Sequence, residues 1–314
     1  MPMIHACCCG LDVQKKTVVA CLMVFDAAGR RAQEVRTFGT MTADLLALIA
    51  WLTVAECTHV AMERPGVDWK PVFTLLEGLF EVLVVNAPHV KALPGRKPDV
   101  KDAEWIADLL PHGLRRGSFV PSAAQRELRD LTRHRTTLVA ERSRMVNRLQ
   151  KVREDANINL AAVASDGTGV SARARLTALL EGRSDPHLLA DLAQGRMRSQ
   201  REQWEPALVG RLRPPQALLL REPLSHLESL DEALERFSTA MAERLRLFAW
   251  AIDRLETIPG LRRRRAEILL AEMGPELSRF PSAQPLAAWA GRCPGHHESA
   301  GTRQSGKPRQ GRRW

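Results

Sequence analysis

Four carboxylates carry the chemistry that this chain is equipped to do. Asp12 closes one apolar run, Cys7-Cys8-Cys9-Gly10-Leu11-Asp12, and Glu63 closes another, His59-Val60-Ala61-Met62-Glu63. Asp99 and Asp102 stand three residues apart, which places both on one face of a helix. Two strand-end acids and a helical pair offer the oxygen ligands that hard divalent cations take. Gathered together, four carboxylates resist joint ionisation unless cations neutralise them. Paired cations held in this way cut or join phosphodiesters. Singly, each acid also has an ordinary reading as a surface carboxylate or a helix-capping residue.

The elements that position these groups show in the hydrophobic pattern. Residues 6 to about 116 alternate strands with helices, an α/β order. Val18 to Phe25 reads as a strand, a Gly29 turn leads to a strand near Val35, and Leu45 to Leu52 reads as a helix. Thr58 to Met62 and Val82 to Val85 are short runs rich in β-branched residues. Pro98 suits a helical first turn, and Asp99 and Asp102 suit the positive end of the dipole. Trp105, Ile106, Leu109 and Leu110 would then form the buried stripe of that helix.

The chain has 314 residues, 45% of them hydrophobic, and a net charge of +10. Its basic balance favours an anionic polymer as partner, because Lys and Arg gain affinity by releasing phosphate counterions. Six cysteines include no CxxC pair, and three are consecutive in an expected strand, where thiols act as small hydrophobes. Neither a disulfide framework nor a zinc site fits them. The sequence has no tyrosine, which excludes a tyrosyl-phosphate intermediate on this polypeptide. It shows no signal peptide and no apolar run of about 18 residues that could cross a bilayer. A cytoplasmic, nucleoid-associated bacterial protein without membrane contact is the expectation.

Three domains are expected: 1–116, a helical coiled-coil connector over 117–250, and a small, mostly helical domain over 251–314. In the connector Leu131, Leu138, Met145 and Val152 recur every seven positions, interleaved with Leu128, Arg135, Arg142 and Leu149. That heptad has arginines at two seam positions. Its nine Lys/Arg face either solvent or a nucleic-acid backbone. Interruptions fall near Asp166-Gly167 and at Pro214-Pro215, and an amphipathic stretch runs from about Leu224 to Ile258. There a Pro259-Gly260 turn precedes Arg262 to Arg265 and a segment ending at Gly274, an order similar to helix-hairpin-helix DNA-binding elements. Arg262 occupies the place of a second turn glycine, which would distort the hairpin. Arg262, Arg263 and Arg264, with Arg303 and Lys307 in an acid-free tail, are the candidate nucleic-acid contacts.

In order along the chain, several segments resemble one family. They are Gly10-Leu11-Asp12-Val13, Met62-Glu63, Gly95 to Ile106, Ser118-Phe119-Val120-Pro121, Leu128 to Arg133, Ile258-Pro259-Gly260, Leu286 to Gly291, Cys293-Pro294-Gly295 and Glu298-Ser299-Ala300-Gly301. The family is the DEDD-type transposases of the "IS one-ten" insertion-sequence group, with its "IS eleven-eleven" branch. The resemblance implies an RNase H-like (RuvC-like) N-terminal domain in which Asp12, Glu63, Asp99 and Asp102 hold Mg²⁺ or Mn²⁺. It implies a C-terminal transposase domain whose nucleophile matches Ser299, forming a phosphoserine. It further implies a bridge RNA pairing with donor and target double-stranded DNA, and a homo-oligomer, dimer or tetramer. Two positions depart from the pattern: Pro98 stands where the family has threonine, and Thr302 where it has lysine after Ser-Ala-Gly. The family also continues past Gly311-Arg312-Arg313-Trp314, so a C-terminally truncated copy is expected, its 251–314 region incomplete. The alternatives are an inactive nucleic-acid-binding remnant, or a RuvC-like nuclease working without serine chemistry.

Overall fold

The computed structural model describes residues 5–26, 30–63, 66–85, 102–111, 117–158, 169–192 and 212–292, and the backbone of 297–299 and 302–305. The chain forms two compact units, Met1–Val120 and Pro121–Trp314.

The first unit is built on a mixed five-stranded sheet, an arrangement consistent with an RNase H-like fold. Its strands are β1 (Cys7–Val13), β2 (Thr17–Phe25), β3 (Arg31–Gly39), β4 (His59–Glu63) and β5 (Glu81–Val85), in the order β3-β2-β1-β4-β5. The β1–β2 and β2–β3 pairs are antiparallel; β1–β4 and β4–β5 are parallel. Side chains alternate across a strand. Thus Cys7, Cys9, Leu11 and Val13 meet helices α1 (Thr42–Val54) and α2 (Trp69–Leu76) on one face. Cys8, Cys21, Met23, Ala61 and Val85 meet α3, described over Asp102–Leu109, on the other. Burial on both faces is why β1 reads as an unbroken apolar run. Burial also pushes the thiols of Cys8 and Cys21 up to about 12, so both stay neutral and act as core filler. The edge strand β3 is exposed from Arg31 to Thr37, and its charged residues suit an edge that must not recruit another chain.

The second unit centres on two long helices, α4 (Ala123–Asp155) and α7 (Pro214–Leu245). They run antiparallel. Leu128 shares a core with Met241 and Leu245, Arg135 Nε donates to Ser238 Oγ at 2.9 Å, Arg142 Nε to Asp231 Oδ1 at 2.6 Å, and Gln216 Nε2 to the Asp155 carbonyl at 3.2 Å. The two seam arginines therefore face the partner helix. Apolar clusters lie at either end of the pair. One joins Leu149 to Leu176, Leu179, Leu189, Leu220, Leu224 and Leu227, with α5 (Val170–Leu180) and α6 (Pro186–Asp191). The other joins Leu128 to Ile252, Ala266 and Leu270, with α8 (Ala249–Glu256) and α9 (Arg263–Met273). A short helix, α10 (Ala283–Trp289), and a hairpin of β6 (His297–Ser299) with β7 (Thr302–Ser305) follow.

The sequence placed the start of α7 about ten residues late. Pro214-Pro215 marks a helix boundary, as expected, by opening α7, because first-turn residues need no N–H donor. The helix also continues through Pro223. Burial of Leu220, Leu224 and Leu227 at its sides offsets the ~3 kcal/mol cost of an interior proline. A 3-10 turn at Arg246–Phe248 then divides the expected single stretch to Ile258. The expected break at Asp166-Gly167 and the segment around Pro98 and Asp99 lie outside the described residues.

Candidate functional site

The pairing of β1 with β4 sets the first two acids. The register puts Leu11 beside Met62, and one residue further along each strand come Asp12 and Glu63. Adjacent strands lie about 4.8 Å apart, so the two carboxylates leave the sheet as near neighbours. Their face follows from alternation. Leu11 and Met62 point to the α1–α2 side, and Ala61 to the α3 side. Asp12 and Glu63, one residue beyond Leu11 and Met62, therefore point toward α3. Both are partly exposed.

Gly10 shows where α3 crosses. A Cβ there would stand 2.3 Å from the Ala103 carbonyl oxygen and 2.4 Å from the Ala107 nitrogen, so the helix rests directly on the strand backbone. The helix runs antiparallel to β1. Ala107 lies against Cys8, whose Sγ is 3.8 Å from its carbonyl oxygen, and Asp108 binds Arg31 of β3 at 2.8 Å, at the sheet end where β1 begins. The other end of α3, with Asp102, thus points to the sheet end that carries Asp12 and Glu63. Of the expected stripe Trp105, Ile106 and Leu110 are buried and Leu109 is half-buried; Ala103 and Ala107, whose small side chains permit the close approach, complete it.

The donors fit a hard cation in type and lie toward one end of one face. Among the described residues no three His, Cys, Asp or Glu side chains are close enough to hold an ion as a set. Asp12 Oδ2 accepts a bond from Gln14 Nε2 at 3.1 Å. Asp99, the fourth expected ligand, lies outside the described residues.

Of the nine basic residues of α4, Arg144, Arg148 and Lys151 are exposed as expected, but Arg129, Arg133, Arg135 and Arg142 are turned onto groups of the helical unit itself. Arg133 holds Glu272, which is 3% exposed, with two bonds of 2.7 and 2.8 Å. Donating these bonds to Glu272 raises the Arg133 pKa above its ordinary value, against the opposing effect of burial. Arg129 donates to the carbonyls of Ala271 and Glu272, and Gln125 to that of Ala271 at 3.2 Å. Together they close the C-terminus of α9, where carbonyls lack helical partners and positive charge is favoured. Leu128 to Arg133 is thus a staple between α4 and α9.

The helix–turn–helix at α8 and α9 forms as expected. Gly260, with φ of +86°, makes the turn, and the Leu261 amide donates to the Ile258 carbonyl at 3.0 Å. Arg262 is extended at φ −92°, which any residue adopts, so the lack of a second glycine distorts nothing. Arg264 and Arg263 bind the buried Glu267 at 2.9 and 3.4 Å while remaining half exposed; Arg262 is exposed. Ser299 ends β6 and pairs with Thr302 in the hairpin backbone. The side chains of Ser299 and Arg303, and Lys307 as a whole, lie outside the described residues. No described helix is long and apolar enough to cross a membrane.

Two family models match this framework. Residues 9–156 match that of the DEDD transposases of IS110 elements, described as a transposase. Residues 252–314 match that of the transposase IS116/IS110/IS902 family. The first match runs from β1 through α4; the second starts in α8 and takes in the hairpin that carries Ser299. No curated protein matches the chain.

Proposed function

This chain belongs to the IS110 family of transposases, and we propose that it exchanges DNA strands with two sets of groups. Asp12, Glu63, Asp99 and Asp102 would hold Mg²⁺, or Mn²⁺ in its place. When bound, the cation polarises the scissile phosphate and stabilises charge on the leaving oxygen. Ser299 is the nucleophile. Its Oγ forms a bond to phosphorus as the bond from phosphorus to the departing strand's oxygen breaks. The serine loses its proton and the departing strand leaves as a hydroxyl. A hydroxyl of the partner strand reverses the attack and releases the serine. The ester conserves the bond energy, so no nucleotide cofactor is needed. The partners in this reading are donor and target duplexes and a bridge RNA, handled by a dimer or tetramer that brings two copies' sites together.

One observation carries the reading. Leu11 beside Met62 in parallel register, under a helix laid on Gly10, directs three acids from three distant segments to one end of one sheet face.

The test uses the full chain, a plasmid bearing the element's ends, flanking-derived RNA, and Mg²⁺ or a chelator. A metal-dependent covalent protein–DNA adduct is expected, lost in Ser299→Ala. Asp12→Ala should lower it about 1000-fold, the scale on which charge-stabilising groups act. Nicking that survives Ser299→Ala would replace the serine step with hydrolysis. An adduct indifferent to Asp12→Ala would end the carboxylate assignment.

A further inference from the structure

The outer side of α8 takes no part in the chemistry above. Trp250 is 55% exposed there, flanked by Leu247 at 81% and Ile258 at 48%. Of the described tryptophans it is the only exposed one. Its ring lies one helical turn from Arg254, whose guanidinium carbon is 5.9 Å from the ring centroid. The inner side of the same helix is fixed, with Ala251 and Ile252 buried against Ala266 and Leu270. The ring therefore faces outward because the helix is anchored by its other side.

Charge decides what this face fits. From Arg244 to Glu267 the chain carries seven arginines against Asp253, Glu256 and Glu267, a net +4 within 24 residues even with Arg263 and Arg264 paired to Glu267 and Arg244 to Glu127. A second copy packed on the same face would set like charge against like. A polyanion meets the opposite sign. An aromatic face among arginines is the combination that binds an unpaired base together with its backbone, the base stacking on the ring. Bases inside a duplex already stack on one another and present no free face.

We propose that Trp250 is a stacking platform for an unpaired base of single-stranded DNA, with Arg254 supplying the cation beside it. The strand is one opened at the exchange point. The inference rests on the DNA partner of the preceding reading, but not on the carboxylates or on Ser299.

The experiment measures anisotropy of labelled oligonucleotides with the full chain in a chelator, so that no strand is cut. The probes are an oligothymidylate of about 20 nucleotides, longer than the ~4–16 of a typical single-strand site, a mixed-sequence DNA duplex and an oligouridylate. Trp250→Ala should weaken oligothymidylate binding about 5- to 100-fold, the worth of one stacked base. Trp250→Phe should recover most of that loss, and Arg254→Ala should cost about two- to fivefold. Duplex binding should not change. An equal loss on duplex, or no loss on oligothymidylate, overturns the platform. A Trp250-dependent preference for oligouridylate moves it to RNA and overturns the DNA assignment. Unchanged strand binding with a smaller species in sedimentation makes the stripe a contact between copies. Since the readout is binding without metal, loss of the strand-exchange reading through Asp12→Ala or Ser299→Ala leaves this result standing, and the reverse holds too.

Discussion

In the α/β unit the strand β1 is buried on both faces, and the acids of interest stand at the ends of β1 and β4 and on α3. In the helical unit the charges lie inside. Arg135 and Arg142 sit in the α4–α7 seam, and Glu267 and Glu272 are buried under arginines. Backbone register positions the first set, with Asp12 and Glu63 each one residue beyond the paired Leu11 and Met62. Side-chain pairing is itself the fold in the second, and polar groups at a helix seam fix register and partner at some cost in stability. A charged residue thus has a different meaning on either side of Val120.

Glu272 offers the largest test of that contrast. Removing one partner of a buried pair strands the other charge, a loss of about 3–5 kcal/mol. Glu272→Ala should lower the unfolding midpoint sharply and expose α9 to hydrogen exchange, while β1 and β4 keep their protection. Equal loss in both regions would mean that the two units do not hold their charges differently. Combining Glu272→Ala with Arg133→Met should restore part of the loss, because only Arg129, which also donates to the Ala271 carbonyl, is then left without its carboxylate.

Gly10 sharpens the other side. Gly10→Ala puts a methyl group where the Ala103 and Ala107 backbone now stands, and backbone cannot rotate away. Overpacking of this kind costs about 1–3 kcal/mol. The shift of α3 should also lower metal-dependent nicking more than stability alone explains, measured at a temperature where the variant is fully folded. Nicking at the parent rate would mean that the placement of α3 is not what gathers the acids.

The same contrast explains what could be read from the sequence. Asp12 and Glu63 were legible because β1 and β4 are continuous apolar runs ending in acid, and a sheet transmits that pattern through fixed register. The heptad of α4 was legible for the same reason: Leu128 and Leu149 do mark the buried seam. The role of the arginines was not, since nothing local separates an arginine facing solvent from one facing Glu272, more than 130 residues away. The continuation of α7 through Pro223 was hidden because propensity at one residue yields to tertiary burial. Gly10 was visible as part of a motif, but its reason, a helix on the strand, is a long-range contact. Trp250 could not be distinguished from the apolar positions around it until the buried side of α8 was known.

Asp231 gives the smallest and most specific test. Burial disfavours its charge, but bonds from Arg142 and Arg173 outweigh that and hold its carboxyl below the ordinary carboxylate range. A group whose pKa is depressed by folding adds stability that is fully present above its unfolded value, near 3.9, and is lost as pH falls through the folded one. At neutral pH Asp231→Asn should cost about 1–2 kcal/mol, the difference between a charge-assisted pair and a neutral one. The gap between parent and variant should hold from pH 7 down to about 5 and close below about 4. Other carboxylates titrate in the same window, so the difference between the two curves, not the parent's acid unfolding, carries the information. A gap that stays constant down to pH 2 would mean that the seam is held by shape and apolar ends, with Asp231 contributing a contact but no charge.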